Sequence, residues 1–217
     1  MRTILAVLSL ILLGGAAPLK AASLETYLPL REGLTLEFRQ KFLAPGEQKP
    51  RAEARAIRKN LAPTELRGQK VHPQVYIFYP PGPGQSQETT SFIASDDQGF
   101  YVLARKTSKD RELQFLPEKF YILKLPLMKG TSWKQRAEGN ILHQVIQETG
   151  VQVTVPAGTF TDCLLVKRSV FASEGDQTPT SELWLWYAPH VGNVKVLTKV
   201  TDPKGELLQE LVSFTPK

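Results

Sequence analysis

Beyond Ser23 the apolar residues come in short runs separated by turn-forming residues. Tyr76-Ile77-Phe78-Tyr79, Gly99-Phe100-Tyr101-Val102-Leu103, Val151-Gln152-Val153-Thr154-Val155 and Leu183-Trp184-Leu185-Trp186-Tyr187 are rich in β-branched and aromatic residues and have strand length. Val155-Pro156-Ala157-Gly158 sets a proline where φ near −65° is wanted and a glycine where a left-handed residue closes a bulged hairpin loop. Asp202-Pro203-Lys204-Gly205 repeats that chemistry, and Ser95-Asp96-Asp97-Gln98-Gly99 and Glu138-Gly139-Asn140 are weaker versions of it. Arg51 to Lys59 has a helix-like composition, but its alternating alanines suit a tightly packed strand face, and strand is favoured. These turns recur at strand intervals. They predict an all-β chain: an antiparallel curved sheet, sandwich or half-barrel of about 10–12 short strands.

Two stretches of the chain resemble each other. Leu28-Pro29-Leu30-Arg31-Glu32-Gly33 recurs as Leu125-Pro126-Leu127-Met128-Lys129-Gly130, each time followed by a strand-like segment. Downstream, Arg67-Gly68 before Val75-Tyr76-Ile77-Phe78 parallels Ala157-Gly158 before Leu164-Leu165-Val166. Ser91 to Leu103 parallels Glu182 to Leu197, and Arg51 to Lys59 falls opposite Ile141 to Ile146. Shared order is harder to reach by chance than one shared hexapeptide, so half-repeats 28–124 and 125–217 are expected within one domain, 24–217.

The first residues follow a different pattern. Arg2 precedes an apolar run from Ile4 to Leu13 and a small-residue stretch, Gly14 to Ala17, which together read as a secretory leader, 1–23, cut near Ser23. The run is too short and too interrupted for a span of about 20 apolar residues. No integral membrane segment is therefore expected after cleavage, and the mature chain is expected in the periplasm or outside the cell. The lone Cys163 excludes an internal disulfide, so packing alone must hold the fold. The leader holds Arg2 and Lys20 of the 27 basic residues and none of the 21 acidic ones, which leaves a net charge of +4. Charges of both signs are interspersed, so no nucleic-acid footprint is expected.

Candidate chemistry is sparse. His72, His143 and His190 stand far apart without metal-ligand spacing, and no nucleophile elbow or phosphate-binding glycine loop is present. The loop Gly82-Pro83-Gly84 lacks the N–H donors of a phosphate cradle. No cofactor, metal or catalytic residue is expected, and the chain is not expected to be an enzyme. Trp184 and Trp186 share one strand face; they are either packed in a core layer or line a cleft for an apolar ligand or a partner surface.

Three segments resemble an uncharacterised family of bacterial exported β-rich proteins: Tyr27 to Gly33, Val155-Pro156-Ala157-Gly158-Thr159-Phe160-Thr161-Asp162-Cys163-Leu164-Leu165-Val166, and Trp186-Tyr187-Ala188-Pro189-His190-Val191-Gly192-Asn193-Val194-Lys195. In outline such proteins are similar to the curved-sheet lipoprotein carriers of the bacterial envelope. The resemblance implies an envelope protein that binds an apolar ligand or another envelope protein, with a structural subunit or an enzyme assembled in three dimensions as alternatives. It brings no catalytic residues. If the leader is removed, the mature N-terminus should lie near Leu24 and the protein should fractionate with soluble envelope material, which terminal sequencing checks; intact Met1–Ser23 in washed membranes would contradict it.

Overall fold

The computed structural model describes residues 23–44, 47, 49–202 and 204–215; the expected leader and the Pro203 turn position lie outside them. Among the described residues a single helical turn, α1 (Leu24–Tyr27), precedes thirteen strands. The first seven are β1 (Thr35–Leu43), β2 (Ala52–Asn60), β3 (Thr64–Leu66), β4 (Gln69–Tyr79), β5 (Gln87–Ser95), β6 (Gly99–Thr107) and β7 (Gln114–Lys124). The others are β8 (Ser132–Ala137), β9 (Asn140–Val155), β10 (Gly158–Phe171), β11 (Ser181–Ala188), β12 (Gly192–Val200) and β13 (Gly205–Thr215).

Their pairing follows from the turns. Arg67-Gly68 (φ 51° and 73°) and Glu138-Gly139 (φ 51° and 81°) carry the two left-handed residues of a tight hairpin turn, which matches the twist of the strands they join. Every pairing in the sheet is antiparallel, with β2 passing over β3 to pair with β4 and β3 forming a short spur on β4. The sheet runs β7-β6-β5-β4-β2-β1-β13-β12-β11-β10-β9-β8, a nearly closed antiparallel barrel of twelve strands. Its middle is the β1–β13 pair, with Phe38 opposite Leu211 and Gln40 opposite Gln209. Residues 28–124 supply β7 to β1 and residues 125–215 supply β13 to β8, six path strands each. Leu28 to Gly33 leads into β1, as Leu125 to Gly130 leads into β8; of the segments set side by side in the sequence, Arg51–Lys59 enters β2 from its second residue on and Ile141–Ile146 lies in β9.

Alternation sets which side chains enter the barrel. In β1, Leu36, Phe38 and Gln40 are buried while Glu37, Arg39 and Lys41 face out. In β2 the alanine pattern is a strand, and Ala54, Ala56 and Asn60 are buried on one face. Arg58, on that same face, lies with its guanidinium carbon 5.2 Å from the centre of the Phe38 ring. Burial pushes the Arg58 pKa down. Gln40 donates to Tyr76 Oη (2.6 Å) and to Gln209 Oε1 (2.7 Å), so these interior polar groups satisfy one another.

One end of the barrel is stoppered by the segment before β1. Leu24, Tyr27, Leu28 and Leu30 pack on Ile93, Phe100, Leu123, Ile146, Leu164 and Leu185. Buried side chains of this size contribute roughly 1.5–3 kcal/mol each. Hydrogen bonds fix the stopper: His190 N–H to Thr26 O (2.6 Å), Tyr27 Oη to Asp162 O (2.9 Å) and Asn60 Nδ2 to Pro29 O (2.9 Å).

At the same end the long β9–β10 hairpin bends at register shifts between Phe160 and Val166, where Asp162 stands at φ 55°. Its tip reaches β13, so that Ala157 N–H donates to Leu211 O (3.0 Å) and the Phe160 ring meets Phe214. Cys163 is fully buried in this cluster. Burial, with Asp162 adding, pushes its thiol up to about 11, which leaves it protonated and inert at neutral pH. Gly158 closes the turn at φ 136°, with open space where a Cβ would stand. Gly158→Ala should therefore destabilise through backbone strain alone, by about 1 kcal/mol, measured as a lower denaturation midpoint at unchanged slope.

Candidate functional site

The path of the sheet has two ends, β7 and β8, and these come together without a strand ladder. A side chain takes the ladder's place. Gln135 of β8 accepts from Tyr121 N–H (2.9 Å) through Oε1 and donates from Nε2 to Tyr121 O (3.2 Å), an amide imitating a neighbouring strand. Gln144 of β9, fully buried, adds a donor to the same carbonyl (3.3 Å) and accepts from Arg168 Nε (2.9 Å). Buried glutamine amides with partners on both ends are stable; unpartnered they would be costly.

The side chain of Tyr121 is held as well. Its hydroxyl donates to Asp96 Oδ2 (2.8 Å), which also receives Lys119 Nζ (2.7 Å), while Asp96 Oδ1 receives the N–H groups of Gln98 (2.9 Å) and Gly99 (3.0 Å). Burial of Asp96 opposes its ionisation, but these four donors outweigh it and hold the carboxyl at about 2. Burial, and then the Asp96 charge, push the Tyr121 phenol up to about 12. A Cβ on Gly99 would collide with the Leu123 carbonyl, so only glycine lets the start of β6 lie this close to β7.

Beside this clasp, towards the end opposite the stopper, β7 parts from β8 and leaves a pocket of about 290 Å³. Leu116, Pro117, Phe120 and Ala137 provide its apolar lining, and Arg105, Arg136, Glu118 and Glu138 its polar rim. Arg105 and Arg168 approach the same Phe120 ring, at 5.4 Å and 5.6 Å from its centre. Arg136 is paired with Glu174. Arg105 Nη1 lies 3.5 Å from Glu138 Oε1, and the buried Arg105 Nε has no hydrogen-bond partner among the described residues. The site offers a hydrophobic surface with a donor at its edge.

The residues put forward from sequence lie elsewhere. Leu183, Leu185 and Tyr187 of β11 pack into one core cluster, while Trp184 and Trp186 stand half-buried on the opposite face of the strand, Trp186 packing against the second cluster, that of Val153, Cys163 and Leu211. Lys167 and Lys199 cover the Trp184 ring at 5.3 Å and 5.7 Å, and Lys195 covers Trp186 at 5.5 Å. Neither tryptophan lines the seam pocket. His72 Nδ1 lies 3.3 Å from Leu30 O and the His190 backbone holds the stopper, while His143 pairs with Lys134 and Ser169 along β9. The seam glutamines went unsuspected, because a lone glutamine in a strand reads as a solvent-facing residue. Their only sequence signal is alternation: Trp133-x-Gln135 and Leu142-x-Gln144 share faces with buried apolar residues.

No protein-family model matches the chain, and no curated protein matches it. Solved structures of similar outline include a candidate exported protein with a YmcC-like fold from Bacteroides fragilis, 14% identical, covering 86% of this chain and 97% of that one at a TM-score of 0.45. A candidate lipoprotein from Parabacteroides distasonis is 14% identical over 86% of this chain and 96% of its own, with a TM-score of 0.42. A β-barrel-like protein of a domain of unknown function from Brucella abortus is 13% identical over 85% and 98%, with a TM-score of 0.48. At such identities and scores the likeness says nothing about function.

The Asp96 clasp has a pH signature. A carboxyl held at about 2 in the folded state, against roughly 4 when unfolded, contributes stability that is complete above about pH 4 and is lost as the pH falls through 2. Asp96→Asn should lower the melting temperature at pH 7 and flatten its decline between pH 4 and pH 2; parallel acid limbs in the two proteins would refute the clasp.

Proposed function

We propose that this is a non-catalytic envelope protein that holds a small apolar ligand in the seam pocket. The observation that carries the reading is the pocket's place: an apolar lining where the sheet lacks a ladder, so that a ligand can enter without breaking strand pairing. Its volume of about 290 Å³ stands at the lower edge of small-molecule sites. The polar residues around it are arginines and glutamates suited to orienting a ligand, with no serine, cysteine or histidine among the lining residues to act as nucleophile or neutral base.

Envelope placement is supported by the leader pattern of the first 23 residues. The outer face of the barrel supports an aqueous setting. It carries Lys41 and Lys195 beside Glu210, Lys167 beside Glu182, Lys199 beside Glu206 and Arg55 beside Glu37. On a lipid-facing barrel wall, basic residues cost about 2–4 kcal/mol each at mid-depth. No helix among the described residues is long and apolar enough to cross a membrane.

The purified protein should bind an uncharged apolar dye such as Nile red saturably, with 1-decanol displacing it. Ala137→Phe, which fills the pocket from the end of β8, should abolish binding while leaving the melting temperature within a few degrees; Leu116→Gln serves if that variant folds poorly. Unchanged dye affinity in both folded variants would overturn the seam as the site.

A further inference from the structure

We infer that the ligand of the seam pocket is an amphipathic monoanion, a single-chain carboxylate whose head meets the Arg105 guanidinium and whose tail lies on Leu116, Pro117 and Phe120. This rests on the pocket being an apolar-ligand site and adds the chemistry of the headgroup.

Two guanidinium groups converge on the Phe120 ring, and neither has a strong anion. Arg168 gives its Nε to the neutral Gln144 amide, and no carboxylate lies within ion-pair distance of it among the described residues. Arg105 has only Glu138, at 3.5 Å. That glutamate side chain is 83% exposed on a two-residue turn, where water screens the pair and a competing carboxylate replaces it readily. The Arg105 Nε is buried without a partner among the described residues, and a planar guanidinium whose outer nitrogen meets only the exposed Glu138 matches the two oxygens of a carboxylate. Burial pushes the Arg168 pKa down, Tyr187 opposes this, and the Arg105 charge adds to it, so the pair of cations repel one another in a poorly hydrated place. An anion at Arg105 relieves that repulsion.

The remaining rim groups narrow the ligand further. Arg136 is paired more closely with Glu174 than Arg105 is with Glu138, so Arg105 is the guanidinium more open to the head. Glu118 and Glu138 stand at the mouth and disfavour a dianion such as a phosphate monoester. A pocket of about 290 Å³ takes one short chain and not a multi-chain lipid.

The test compares decanoate with 1-decanol as competitors of bound Nile red, in the wild type and in Arg105→Gln. Decanoate should compete about tenfold more strongly than decanol in the wild type, as a charged hydrogen bond predicts. In Arg105→Gln that preference should vanish. Raising the ionic strength should weaken decanoate and spare decanol, which keeps the test decisive if Arg105→Gln folds poorly. Equal competition by the two in the wild type, or a decanoate preference that survives Arg105→Gln, overturns the headgroup assignment while leaving the apolar pocket standing. Failure of both to displace the dye overturns the pocket and the headgroup together.

Discussion

A sheet that curls back on itself must bring its two outer edges together, and here those edges are β7 and β8. Full pairing of the edges would give a closed barrel with every backbone group satisfied. An open gap would leave N–H and C=O groups exposed to pairing with other chains. The protein takes an intermediate course in which Gln135 and Gln144 hold the Tyr121 backbone through their side chains. Strand alternation matters for this arrangement: Gln135 follows Trp133 two residues on, so the residue that clasps the seam is anchored by one in the apolar core.

Other features follow from that closure. The stopper and the bent β9–β10 hairpin fill one end, and the interior is packed with Phe38, Leu164, Leu185, Tyr187 and the Gln40–Gln209–Tyr76 network. A barrel filled in this way has no wide lumen. Space for a ligand then arises where the edges diverge, beyond the reach of the clasp. The seam explains both why Tyr121 collects so many partners and why the pocket lies beside it: one local contact keeps the edges together, and the strands separate past it.

The tryptophan strand shows how one pattern permits two packings. Leu183-Trp184-Leu185-Trp186-Tyr187 is apolar on both faces, which fits a strand between two layers. In the barrel the leucines and the tyrosine pack into one core cluster, and on the other face lysines from β10 and β12 lie over the tryptophan rings, with Trp186 packing in addition against the cluster of Val153, Cys163 and Leu211. The long lysine stems and their charged ends do the work of a second layer, burying part of each ring while staying hydrated.

By itself the sequence determined that the chain is a run of antiparallel strands, where several of its turns fall and which face of β2 packs inward. Those properties are local: φ preferences at Arg67-Gly68, Glu138-Gly139 and Gly158, and period-two alternation, act within a few residues. Tertiary structure alone decided that β1 meets β13, that the sheet curls until β7 faces β8, and that Gln135, Gln144, Arg105 and Arg168 gather there. These contacts join residues far apart along the chain, and they depend on the accumulated twist of twelve strands, a property of the whole sheet that no short window of residues encodes.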